Sequence, residues 1–168
     1  GGGGAAGAEP SQKDARGGGG GLRRVDFGAL STCAVRGAWG SRIEAAVRLL
    51  LTLRDAARRE GDEGAGKAVV FSRFDATLRL LSRACAMNGV QCATYDAARG
   101  QSEAFRNDSG LQALLLSAHR DASGLTLTAA SHVLILEPQP DVAVELQMIG
   151  RVHRIGQARQ THVHRLVV

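Results

Sequence analysis

Apolar and polar positions along the chain fall into blocks that alternate between two periods. Beyond residue 41, Ile43, Ala46, Val47, Leu50, Leu53 and Ala57 recur at three- and four-residue spacing, the pattern of a helix with one buried face. Ser41 stands before the run as a candidate N-cap. The opposite face carries Arg42, Arg48, Arg58 and Arg59, which read as a solvated surface, with a nucleic-acid contact as the alternative. After a loop over residues 61–66, Ala68-Val69-Val70-Phe71 is an unbroken apolar run, as expected of a strand covered on both faces. The order then repeats. Asp75 is placed to cap a helix that turns Leu78, Leu81, Ala84 and Cys85 inward, and Asn88-Gly89 stops it, with Gly89 suited to a left-handed backbone. Residues 90–95 read as a second strand, 101–107 as a short helix, and 113–117 as a third strand. Residues 123–130 read as a glycine turn and a short helix, and 132–136 as a fourth strand. Asp141 caps a helix running to about residue 154, and 162–168 form a fifth strand. Strands alternating with helices predict an α/β fold: a parallel sheet covered by helices on both faces, with right-handed crossovers.

Residues 1–21 break the pattern. They hold no aromatic and no β-branched residue, and nine of the chain's 22 glycines lie there in two runs. Such a segment cannot bury enough surface to offset its ordering entropy. Residues 1–36 are therefore expected to be a disordered glycine-rich lead-in, and residues 37–168 one folded domain. With four Phe, one Tyr and one Trp in 168 residues, the core must rest on Leu, Val, Ile and Ala. Trp39 is expected to pack the first helix onto the sheet.

The formal charge of +5 and pI near 9.8 suit a polyanionic partner without requiring one. Cys33, Cys85 and Cys92 form no CxxC pair and leave one over, which argues for a reducing compartment and against a zinc module; Cys85 and Cys92 read as small core residues. No apolar run reaches the length of about 18 residues that a membrane span needs.

One phosphate-loop lookalike can be set aside. Gly61-x4-Gly66-Lys67 has Ala68 where a magnesium-holding hydroxyl is required, and it precedes a strand instead of opening a helix. No strand ends in an Asp-Glu pair either, so this chain by itself should not hold and cleave ATP through the usual parts.

Chemistry concentrates at residues 147–157, QMIGRVHRIGQ. On a helix and its end, Gln147, Gly150, Arg151 and Arg154 line one side. Two guanidinium groups one turn apart, projecting from the ligand-binding edge of the sheet, can clamp oxyanions on a transferring phosphoryl group. Gly150 removes a side chain beside Arg151 and lets a ligand approach. A basic helix end favoured by the helix dipole accounts for the same spacing.

The full string Gln-x-x-Gly-Arg-x-His-Arg-x-Gly-Gln resembles motif VI of helicase superfamily two, in the form found in Swi/Snf-type DNA-dependent ATPases. Lys67-Ala68-Val69-Val70-Phe71-Ser72 resembles motif IV, and Ser123-Gly124-Leu125-Thr126-Leu127 resembles motif V. Gly40-Ser41-x-Ile43, Glu137-Pro138 and Val163-His164-Arg165 are similar to the SHPRH-like branch of ubiquitin ligases, and the resemblance covers roughly residues 37–168. It implies a RecA-like C-terminal helicase lobe of a DNA translocase. It also implies Arg151 and Arg154 as catalytic fingers, with Gly124, Gln147 and Gly150 beside the nucleotide. ATP and Mg2+ would be held mainly by an N-terminal RecA-like lobe of the same protein, and double-stranded DNA would be the partner. A RING module elsewhere in the parent, a nuclear location, and work in chromatin remodelling or DNA repair are implied too. Asp121-Ala122 replace the two glycines usual in the family, and Asp141-Val142 replace Asn-Pro. Alternatives are an RNA-directed lobe and a catalytically silent interaction scaffold.

Ser72 and Arg73 close a predicted strand at the edge where parallel sheets bind ligands, and are candidate nucleic-acid contacts. Ser117 and His119 close another at the same edge, and Ser123 and Gly124 belong to the motif V segment. His162 and His164 alternate on one strand and so share a face; two imidazoles are too few for a metal centre, so packing or surface roles are expected.

Overall fold

A computed structural model describes residues 33–96, 99–119 and 124–167. Its five strands are β1 (Ala68–Ser72), β2 (Cys92–Thr94), β3 (Ala113–Ser117), β4 (His132–Ile135) and β5 (His162–Arg165). They form one sheet in the order β2-β3-β1-β4-β5, and every described pairing is parallel. The helices are α1 (Ser41–Glu60), α2 (Asp75–Met87), α3 (Gln101–Asn107) and α4 (Val142–Val152). This is the parallel α/β sheet the alternation predicts.

Strand side chains alternate between two cores, because successive Cβ atoms point to opposite faces. Val70, Leu115 and Leu134 join Val47 and Leu50 of α1 and Leu78 and Leu81 of α2 on one side. Val69, Phe71, Leu114, Leu116, Val133 and Ile135 join Phe105 of α3 and Met148 and Val152 of α4 on the other. Both faces are covered, which is why the strands read as solid apolar runs.

Several local expectations are corrected. The N-cap position of α1 is Gly40, not Ser41, and no side chain caps it. Asp75 is the first residue of α2, not its cap, which is Phe74. Residues 124–130 hold turns and no helix, because the Leu127 amide is drawn to the Arg151 carbonyl at 2.9 Å, outside any helical ladder. A 3-10 turn, Glu63–Gly66, lies within the predicted loop. Packing also starts earlier than residue 37: Cys33 and Val35 lie against the α1 core. The Arg36 amide donates to Asn88 Oδ1 at 2.7 Å. Gly89 is left-handed (φ 69°), as expected.

Lys67 explains the phosphate-loop lookalike. It is 4 % exposed, and its Nζ donates to the carbonyls of Phe105 (2.5 Å) and Asp108 (2.7 Å). The ammonium thus satisfies carbonyls at the end of α3, where the helix dipole favours a cation. Burial lowers its pKa.

Candidate nucleotide and nucleic-acid site

The fold divides the candidate residues into two groups. Register places Ser72 of β1 directly beside Ser117 of β3 at the carboxyl ends of the strands. The Ala118 amide donates to the Ser72 carbonyl at 2.8 Å, which ties the two strand ends together. Beside them sits Glu137, buried just past β4. Its carboxylate accepts from Ser72 Oγ at 3.1 Å and from the Arg73 amide at 3.1 Å. A buried carboxylate is costly unless such donors satisfy it.

This arrangement withdraws Ser72 from solvent. Its side chain is fully enclosed, and its hydroxyl also accepts from the Phe74 amide at 3.1 Å. Direct contact between the Ser72 hydroxyl and nucleic acid is therefore corrected: the group is committed to Glu137. Arg73 is half-buried, its guanidinium 5.8 Å from the Phe74 ring centroid, within cation–π range. Ser117 is half-buried and His119 exposed at the same edge. Gly124 is exposed with φ 83°, a backbone that favours glycine. Ser123, Asp121 and Ala122 lie outside the described residues.

The second group gathers at the far end of α4. Asp141 caps that helix as expected, its Oδ1 accepting from the Ala143 amide at 2.8 Å. A helix joining two parallel strands must return from their carboxyl edge to their amino edge. Arg151, in the last turn of α4, therefore lies away from Ser72 and Ser117. The expectation that the arginine pair projects from the sheet's carboxyl edge is corrected by this crossover. Nor do both arginines stand on the helix. It ends at Val152, and Arg154 sits in the following turn, closed by the Gln157 amide on the Arg154 carbonyl at 2.9 Å.

That turn is held from several sides. Gln157 Nε2 donates to the carbonyls of Ala130 (2.7 Å) and Val152 (3.2 Å), while its Oε1 accepts from the Arg159 amide at 2.9 Å. Arg154 Nη1 donates to Thr126 Oγ1 at 3.4 Å. The 124–130 segment and the arginine turn are thus one hydrogen-bonded unit, although 28 residues separate Thr126 from Arg154. Arg154 and Gln147 are exposed and Arg151 is half-buried. Among the described residues, neither arginine meets a carboxylate. A Cβ built on Gly150 meets nothing within 4 Å, so the surface beside Arg151 is open.

Matching sequences now bear on this geometry. The family model "Helicase conserved C-terminal domain" matches residues 44–156, from α1 through the arginine turn. This chain is a helicase C-terminal domain of the Swi/Snf type. It is 39 % identical over 137 residues to human "E3 ubiquitin-protein ligase SHPRH", covering 80 % of this chain and 8 % of that protein. It is 34 % identical over 108 residues to "DNA repair protein rad8" of Schizosaccharomyces pombe, covering 61 % and 10 %. The helicase domain thus spans about a tenth or less of these relatives. Among solved structures, the C-terminal part of the Fun30 ATPase domain shares the fold, with TM-score 0.69 and 20 % identity over 82 % of this chain and 44 % of that one.

One cluster in the helicase domain escaped the sequence pattern. His162 and His164 do share a face, but His132 of β4 joins them. Its ring stacks 5.0 Å from His162 and 5.3 Å from His164, and its Nδ1 lies 3.0 Å from His164 Nε2. Burial, then the neighbouring imidazoles, push His132 down to about 3 and His164 to about 4. Only the β4–β5 register brings His132 opposite His162, so spacing along the chain carried no sign of it.

Proposed function

We propose that this lobe completes the ATP site of a two-lobe, DNA-dependent ATPase by supplying Arg151 and Arg154. ATP and Mg2+ would be held mainly by an N-terminal RecA-like lobe, and this lobe alone would hydrolyse nothing. One observation carries the reading. Two guanidinium groups leave the end of α4 with no carboxylate beside them among the described residues, on a turn braced by Thr126 and Gln157. Charge with no carboxylate partner among the described residues, on a hydrogen-bonded support and next to the bare Gly150 surface, suits a phosphoryl oxyanion arriving from outside. Gln147 and Gly124 flank the same approach.

The opposite edge would meet the DNA backbone. Arg73, Ser117 and His119 are its contacts in this proposal, and Ser123 of the motif V segment is a further candidate for nucleic acid. Ser72 would act through Glu137, holding the Arg73 backbone in place. Contacts of this kind read phosphates, not sequence. The separation of the two groups favours a motor: nucleotide at one end of α4 and DNA at the strand ends, joined by a single parallel sheet. A DNA-repair or ubiquitin-ligase parent is suggested by the relatives' names; a nuclear location, chromatin remodelling and a RING module are what the motif VI resemblance implies and stay within this proposal.

Arg154→Ala in the full-length parent tests the assignment. DNA-stimulated turnover should fall at least about a hundredfold, while ATP binding persists. Turnover at the unsubstituted rate would overturn it. Equal stimulation by RNA and duplex DNA would redirect the substrate, and absence of any stimulated hydrolysis in the unsubstituted parent would favour a scaffold.

A further inference from the structure

We propose that Phe74 is a non-ionic nucleic-acid contact, its ring packing against a nucleoside next to the phosphate that Arg73 holds. The inference rests on the reading that the carboxyl edge of the sheet meets DNA, and it adds to that edge a contact of a different kind. Phe74 lies two residues past β1 and takes the N-cap position of α2, with no side-chain cap bond. That position favours Ser, Thr, Asp or Asn, whose oxygen accepts from an amide of the first turn. A benzyl group offers no such oxygen. Nor does the ring serve the core. Phe74 is 54 % exposed, whereas Phe71 and Phe105 are buried together on the α3 and α4 side of the sheet. A local rule broken without a gain in packing is expected at a functional position.

The backbone that carries the ring is fixed. The Phe74 amide donates to Ser72 Oγ at 3.1 Å, and the Leu78 amide donates to the Phe74 carbonyl at 3.2 Å. The Arg73 amide is held by Glu137, which also accepts from Ser72 Oγ. One buried carboxylate and one hydroxyl therefore present both side chains to the same partner. The Arg73 guanidinium lies 5.8 Å from the Phe74 ring centroid, and its enclosed Nε finds no acceptor among the described residues. An exposed aromatic on a held backbone loses little freedom when it docks. A ring with a cation beside it suits a partner that sets a flat, weakly polar surface next to an anion. A nucleoside and its own phosphate have that form, and a base or sugar face accepts an aromatic ring whatever the sequence.

Binding of duplex DNA to the full-length parent, followed by fluorescence anisotropy over a series of salt concentrations, separates the two side chains. Arg73→Ala should weaken binding and flatten the salt dependence by about one phosphate contact. Phe74→Ala should weaken binding at least about fivefold, the low end for an aromatic contact with a base. Its salt slope should stay as in the unsubstituted parent, because a ring releases no counterion. Phe74→Tyr keeps the ring and should bind like the unsubstituted parent. Full affinity in Phe74→Ala with Arg73→Ala impaired would sink the ring contact and leave the DNA edge standing. Full affinity in both would remove the DNA edge and the ring contact together. A flattened slope in Phe74→Ala, or an equal loss in Phe74→Tyr, would also overturn the proposal, since the ring would then only position Arg73 or support the fold.

Discussion

Acid should loosen this domain through its imidazole stack, and the size of the effect follows from the geometry. His132 is held between His162 and His164 and titrates at about 3 when folded, against 6.5 when free. His164 titrates at about 4 against the same 6.5. Both folded values are depressed bases, so between these limits the unfolded chain binds protons that the folded chain refuses. Stability is then complete above about pH 6.5 and declines as the pH falls toward 4 and 3. Each unit of separation is worth about 1.4 kcal/mol. At pH 5 the two rings together cost about 4 kcal/mol, a large part of the 5–15 kcal/mol typical of a domain. Other charged groups face the stack: Glu60, Asp62 and Arg159 line the adjoining cavity. Asp62 is paired with Arg159 at 2.9 Å, a contact that lowers its pKa, so its own acid sensitivity lies below pH 3.8 and outside the interval measured. The comparison must therefore be between variants. Urea midpoints of the full chain and of His132→Gln, measured from pH 7.5 to pH 5, separate the contributions. The unsubstituted chain should lose clearly more stability over that interval than His132→Gln, which keeps a polar group that does not titrate. Parallel curves would refute the reasoning, because they would place the acid sensitivity elsewhere.

Other outcomes follow from single contacts. Lys67→Met keeps most of the apolar stem but leaves the Phe105 and Asp108 carbonyls without their donor. It should lower unfolding free energy by about 2 kcal/mol in urea titrations. Gly66→Ala drives a Cβ to 3.0 Å from the Leu53 carbonyl and from Ala57 Cβ, both fixed by α1, and should cost about 1–3 kcal/mol. Gly64→Ala instead meets the side-chain end of Arg159 at 2.6 Å, which can shift more readily than the α1 backbone, so its midpoint should move by less than that of Gly66→Ala. Gln157→Ala removes the brace between the arginine turn and Ala130. In the full-length parent it should reduce DNA-stimulated turnover about tenfold while ATP affinity changes little.

Much of this protein was written in local patterns. Apolar runs such as 68–71 and 113–116 suit strands covered twice, as they are, and α1 shows its buried stripe at Ile43, Val47 and Leu50, because period and burial are properties of neighbouring residues. The motif at 147–157 likewise marked its family from eleven consecutive residues, and Asp141 declared its cap. Longer-range relations were decided by the fold. Arg154 meets Thr126, Ser72 meets Glu137, and His132 meets His164 only because strand order and crossover direction bring them together. The carboxyl-edge placement of the arginine pair failed for the same reason: spacing along a helix says which residues share a side, whereas the direction of the helix against the sheet says which end of the domain they reach.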